Sequence, residues 1–66
     1  MSVPELAELL HETSLRHDAY EKTHAAHDWW DWYGAYMETR MRGGGEEAAV
    51  AAADAYMSGV LGVAAL

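Results

Sequence analysis

His17, Glu21 and His24 stand four and then three residues apart, so a continuous helix would present them on one face, with Asp28 extending it. Glu21-Lys22-Thr23-His24 is also a Glu-x-x-His. Carboxylate-bridged metal bundles use that half-motif because positions i and i+3 of a helix aim two ligands at one ion. A full two-metal site needs two such pairs and further carboxylates, which a symmetric dimer would supply. The candidate ligands for a divalent metal are therefore His17, Glu21, His24 and Asp28. Without a metal, a histidine whose reference pKa is about 6.5, set beside a carboxylate, can still move protons. The plainer explanation is composition: with 11 Asp plus Glu in 66 residues, a chance Glu-x-x-His is unsurprising.

The second feature is the block His27-Asp28-Trp29-Trp30-Asp31-Trp32-Tyr33-Gly34-Ala35-Tyr36, with three tryptophans, two tyrosines, two aspartates and a histidine in ten residues. So dense a run of rings with polar handles cannot all face inward on one helix. One or two stripes, through Trp29, Trp30, Tyr33, Met37 and Met41, are expected to be core. Trp32, beside Asp31 and Asp28, is expected at the polar edge, where it would suit a cation, an extended aromatic ligand or a partner's anchor residue. The expected binding site sets His17, Tyr20 and Glu21 of one helix against His27, Asp31, Trp32 and Tyr36 of the next. His27 and Asp31, four residues apart, are expected to pair. On this reading His17→Ala, Glu21→Ala and Trp32→Ala weaken binding and leave the fold intact.

Three helices must position these residues. Ser2-x-x-Glu5 with Pro4 is a capping box, starting helix 1 at about residue 3 and carrying it to about 23. Its inward stripe is Leu6, Leu9, Leu10, Thr13, His17 and Tyr20; His11 falls on the surface. A break over residues 23–27 lets Asp28 and Asp31 open helix 2, from about 28 to 42. Gly34 in mid-helix costs about 1 kcal/mol relative to Ala, which the close approach of another helix or a ligand would justify and which drift would equally explain. Gly43-Gly44-Gly45 stops helix 2. Glu46-Glu47 begins helix 3, to about 61, with Ala49, Ala52, Ala53, Tyr56, Met57 and Val60 inward. Residues 63–66 are expected to fray. The fold class is all-α: one domain over residues 1–66, a helical hairpin plus a short third helix.

Composition sets the class of partner. A chain this short buries only about 60% of its unfolded surface. With no cysteine, no disulfide can staple it, so a homodimeric bundle, a metal or a covering partner is expected. A net charge of −7, with only four Lys plus Arg, argues against nucleic acid and against an anionic membrane surface. The N-terminus carries no basic segment ahead of an apolar one, and the Ala-rich end is interrupted by Asp54. The expectation is a cytoplasmic protein without a signal peptide or membrane span.

His17-x-x-Tyr20-Glu21, then His27-Asp28-Trp29-Trp30-Asp31-Trp32-Tyr33-x-Ala35-Tyr36-Met37, then a Gly turn and Glu46-Glu47-Ala48, resembles a short helical domain common in actinobacterial proteins. That domain occurs alone or attached to glyoxalase/bleomycin-resistance-type proteins. The resemblance runs from about residue 10 to 57 and implies a helical accessory module; the resistance label belongs to the attached domain, which is not part of this chain. The family often has Thr-Pro where this chain has Gly44-Gly45, which implies a looser loop here. The function expected is a small acidic binding or accessory module with a protein or small-molecule partner. The alternatives are a small metal-dependent or acid/base enzyme using His17, Glu21 and His24, and a structural partner subunit with an aromatic interface.

Overall fold

Ser2 opens the first helix as its spacing demands: its Oγ accepts from the Glu5 N–H at 3.3 Å while the Glu5 carboxylate accepts from the Ser2 N–H at 3.1 Å. In the computed structural model, which describes all 66 residues, the chain forms three helices: α1 (Val3–Glu21), α2 (Trp29–Met41) and α3 (Glu46–Gly59). The architecture is all-helical, and none of the helices is long and apolar enough to cross a membrane.

No glycine or proline ends α1. Instead the Tyr20 carbonyl collects the Thr23 N–H at 3.2 Å, the Thr23 hydroxyl at 3.4 Å and His24 Nδ1 at 3.0 Å. Polar side chains placed just past a helix end compete for its orphan carbonyls in this way and turn the chain aside. The segment that follows has a partner. Ala25 N–H donates to the Ala64 carbonyl at 2.9 Å and Leu66 N–H to the Thr23 carbonyl at 2.8 Å, around an antiparallel bridge between His24 and Ala65. The C-terminal residues expected to fray are thus docked on the α1–α2 connection, because Gly62, at φ +69°, turns the chain back toward it.

α2 ends in a turn built by glycine. Gly43 takes φ +96°, its N–H reaches the Arg40 carbonyl at 3.0 Å, and Gly44 N–H reaches the Thr39 carbonyl at 3.0 Å, the hydrogen-bond pair of a Schellman motif. Gly34 does something different: a Cβ there would meet nothing within 4 Å, so no neighbouring element explains it. The two glycines should therefore respond oppositely to alanine in a chemical denaturation series. Gly43→Ala should lose about 1–2 kcal/mol, the penalty of a left-handed conformation. Gly34→Ala should gain about 1 kcal/mol from helix propensity.

The core is small and lies along α2. Leu9, Thr13, His17 and Tyr20 of α1 and Ala49, Ala53 and Met57 of α3 close on Trp32 and Tyr36. Alanines on α3 let its backbone come close to the indole and phenol rings, which supply the volume. The inward stripes are narrower than periodicity alone suggests, since Leu6 and Leu10 on α1 and Tyr56 and Val60 on α3 are exposed. On α2 the expected core stripe is overturned: Trp29, Trp30 and Met41 are exposed while Trp32 and Tyr36 fill the core. Arg40, in the last turn of α2, already pairs with Glu12, so the turns of α1 before Leu9 extend beyond the end of α2.

Candidate functional site

The loop end of α1 carries the polar–aromatic cluster. His17, only 3% exposed, comes from the buried face of α1, and His27 comes from the connection ahead of α2. Their Nε2 atoms lie 2.8 Å apart. His17 Nδ1 is 3.5 Å from a carboxylate oxygen of Glu21, one turn on, and His27 Nδ1 is 2.9 Å from the Ala25 carbonyl. Rings wall the pair. Relative to His17, the Trp32 centroid is at 5.6 Å, Tyr33 at 5.3 Å and Tyr20 at 6.4 Å. Glu21 is exposed and His27 half-buried, so the cluster reaches solvent at these two side chains.

Burial holds His17 below the ordinary histidine pKa; the Glu21 and Asp18 carboxylates pull it up and His27 pushes it down. Burial first, then the charge of Asp54, raises Tyr20. Desolvation disfavours whichever form is charged, so imidazole and phenol both stay neutral here.

The structure brings together His17, Tyr20, Glu21 and His27, keeps Trp32 only as a buried wall behind them, and separates Asp31 and Tyr36 from the expected site. Trp32 is wholly buried rather than at a polar edge; its Nε1–H donates to Asp54 at 3.2 Å and its ring stacks on Tyr36 at 5.2 Å and 17°. Tyr36, also fully buried, turns its hydroxyl to Glu12 at 2.7 Å, and Arg40 closes on the same carboxylate at 2.8 Å. That triad ties α1 to α2 through Glu12, about one and a half turns of α1 before His17. Asp31 does not pair with His27, because α2 begins only at Trp29 and His27 lies outside it. It borders a shallow groove between α2 and α3 with Trp30, Gly34, Ala35 and Tyr56. Asp28 takes the N-cap backbone conformation with no side-chain hydrogen bond to the helix.

The metal-ligand set changes accordingly. One donor atom each from His17, Glu21 and His27 lies within 4.8 Å of the others. His24 is drawn elsewhere, stacked on Tyr20 at 3.8 Å and 9° with Nδ1 on the Tyr20 carbonyl. Asp28 is exposed and takes no part. Tyr33, Glu12, Arg40 and Asp54 were not anticipated at the site. Tyr33, expected in a core stripe, instead packs against His17; Glu12 and Arg40, far apart in the chain, carry no local signal.

No protein-family model, no curated protein and no solved structure matches the chain.

Proposed function

We propose that this chain is a small binding module for a cationic ligand, seated on His17, His27 and Glu21 at the loop end of α1. One observation carries the reading: a buried and a half-buried imidazole in contact, walled by Tyr20, Trp32 and Tyr33, reach solvent beside a carboxylate. A plain core would place leucine at these positions, because buried polar groups cost stability unless every one is paired. The net charge of −7 favours the approach of cations over anions. Aromatic faces and a carboxylate are groups that hold a positive charge.

The test is a titration of the full chain with tetramethylammonium, guanidinium and Zn(II), following the side-chain NMR signals of His27 and Tyr33. At least one probe should shift both saturably, and Glu21→Gln should weaken that binding while circular dichroism stays unchanged. If none shifts them at millimolar concentration, the reading fails.

A second reading, a homodimer through the aromatic surface, is favoured by Trp29 and Trp30, which remain 52% and 55% exposed and pack edge to face at 5.6 Å. Exposed tryptophans in contact with each other are common anchors of interfaces. Sedimentation at tens of micromolar should then give a dimer, and Trp30→Ala a monomer of equal helicity; a monomeric parent protein would dismiss the homodimer.

A further inference from the structure

We propose that the facing imidazoles of His17 and His27 bind a single borderline transition-metal cation, of the class of Zn(II), Cu(II) or Ni(II), with Glu21 holding His17 in the ligating tautomer. This rests on the cluster being a cation site and names the cation.

Hydrogen-bond polarity carries it. The Ala25 carbonyl can only accept, so His27 Nδ1, 2.9 Å away, bears a hydrogen. The Glu21 carboxylate can only accept too; at 3.5 Å it is an ion-pair contact of His17 Nδ1 rather than a made hydrogen bond, and it favours the tautomer that carries the proton on Nδ1. The Glu21 side chain is exposed over 54% of its surface and free to close the remaining distance. A neutral imidazole has one N–H. In that tautomer of His17 both Nε2 atoms are bare lone pairs facing each other across 2.8 Å, whereas in the other His17 Nε2–H donates to His27 Nε2. Two lone pairs so placed repel unless something positive lies between them.

The surroundings match a metal site. Metal-bound histidines give the other ring N–H to a backbone carbonyl or a carboxylate, which fixes the tautomer and raises ligand basicity. Here one ring has the carbonyl and the other the carboxylate. Imidazole donors suit zinc, copper and nickel, whereas magnesium and calcium take oxygen ligands. Metal–nitrogen bonds of about 2.0–2.1 Å at a tetrahedral angle hold two nitrogens about 3.4 Å apart. The rings must therefore part by about half an ångström. His27, on the connection between α1 and α2 and half-buried, is the one placed to move. Remaining coordination positions lie on the solvent side, next to Glu21. A proton could also sit between the rings, and the experiment separates the two occupants.

The test uses the full chain labelled with 15N, in long-range spectra that resolve Nδ1 from Nε2, titrated with Zn(II) and, as a control, Mg(II). With zinc, the Nε2 signals of His17 and His27 should move together and saturate at one equivalent, both Nδ1 atoms staying protonated; magnesium should do nothing. His27→Gln should weaken zinc binding by at least about tenfold, the lower end of what even an outer-shell partner contributes. Glu21→Gln should weaken it about 10–100-fold, the usual cost of removing a carboxylate that orients a ligating histidine. His11→Gln and His24→Gln should bind zinc as the parent does. These variants avoid buried His17, and circular dichroism confirms that each is folded. A proton shared by the two rings that persists in excess zinc overturns the assignment, as does zinc binding indifferent to His27→Gln. If zinc fails while tetramethylammonium or guanidinium binds, the metal falls and the cation module stands; if all three fail, both fall.

Discussion

Trp32→Ala is expected to be the most destabilising single substitution in the chain, with a large loss of helicity at 25 °C. The indole is wholly buried, stacks on Tyr36, lies tilted against His17 and Tyr20, and gives its N–H to Asp54. Truncating a buried Trp costs about 3–5 kcal/mol in transfer and cavity terms. At roughly 0.05–0.15 kcal/mol per residue, a domain of this size holds only about 3–10 kcal/mol in all. Far-ultraviolet circular dichroism of the variant decides it: helicity equal to the parent's would mean that the α1–α3 packing does not depend on this ring. Trp32→Ala therefore reports on folding, and the sequence-based expectation that it would probe binding with the fold intact is corrected by its burial. Trp32→Phe, which keeps an aromatic ring in the space, should fold at reduced stability.

The second large effect is alkaline. Burial, and then the hydrogen bond to Glu12, push the Tyr36 hydroxyl up to about 12 from an ordinary value of 10.0. A folded-state pKa above the unfolded one means that the native chain keeps a proton the unfolded chain gives up. The stabilisation is complete below pH 10 and is lost as pH rises toward 12. A gap of that width amounts to roughly 3 kcal/mol, at 1.36 kcal/mol per pH unit. Denaturation midpoints measured from pH 8 to 12 should fall steeply, and Tyr36→Phe should flatten the fall, leaving the smaller contribution of Tyr20. At pH 7 Tyr36→Phe should itself cost about 1.5–3 kcal/mol, the range for a hydrogen bond to a charged group. An alkaline limb unchanged in Tyr36→Phe would show that another group controls it.

The same triad shapes the acid side. The hydrogen bond from Arg40 is the largest of the influences that hold the Glu12 carboxyl below its usual range, and the Tyr36 hydroxyl adds to it. A depressed folded pKa stabilises above the unfolded value, about 4.3, and that stability drains away as pH falls through the folded one. Glu12→Gln should therefore lose stability at pH 7 and show a shallower decline than the parent below pH 4, measured by urea midpoints. Equal acid slopes for the two proteins would remove Glu12 from the account.

What the chain's local chemistry settles and what it leaves to packing divide along a physical line. Ser2 and Glu5 cap α1, Gly43 and Gly44 close α2, and Ala49, Ala53 and Met57 mark the inner face of α3, because each of these relations spans at most five residues or follows the helical repeat. The all-helical, three-helix architecture follows from them. The site divides differently. His17 and Glu21 are one turn apart and meet on any helix, whereas His17 meets His27 rather than His24 because α1 ends at Glu21 and the Tyr20 carbonyl draws His24 away. The connection that follows is then held by Ala25 and Thr23 pairing with residues at the far end of the chain. The inward turn of Trp32 depends on Asp54, and that of Tyr36 on Glu12 and Arg40. Helical periodicity ranks the faces of α2 only by hydrophobicity, and α2 has aromatic rings on several of them. Which ring is buried was decided by where α1 and α3 placed the carboxylates that receive its polar atom, a long-range matter no spacing within α2 encodes.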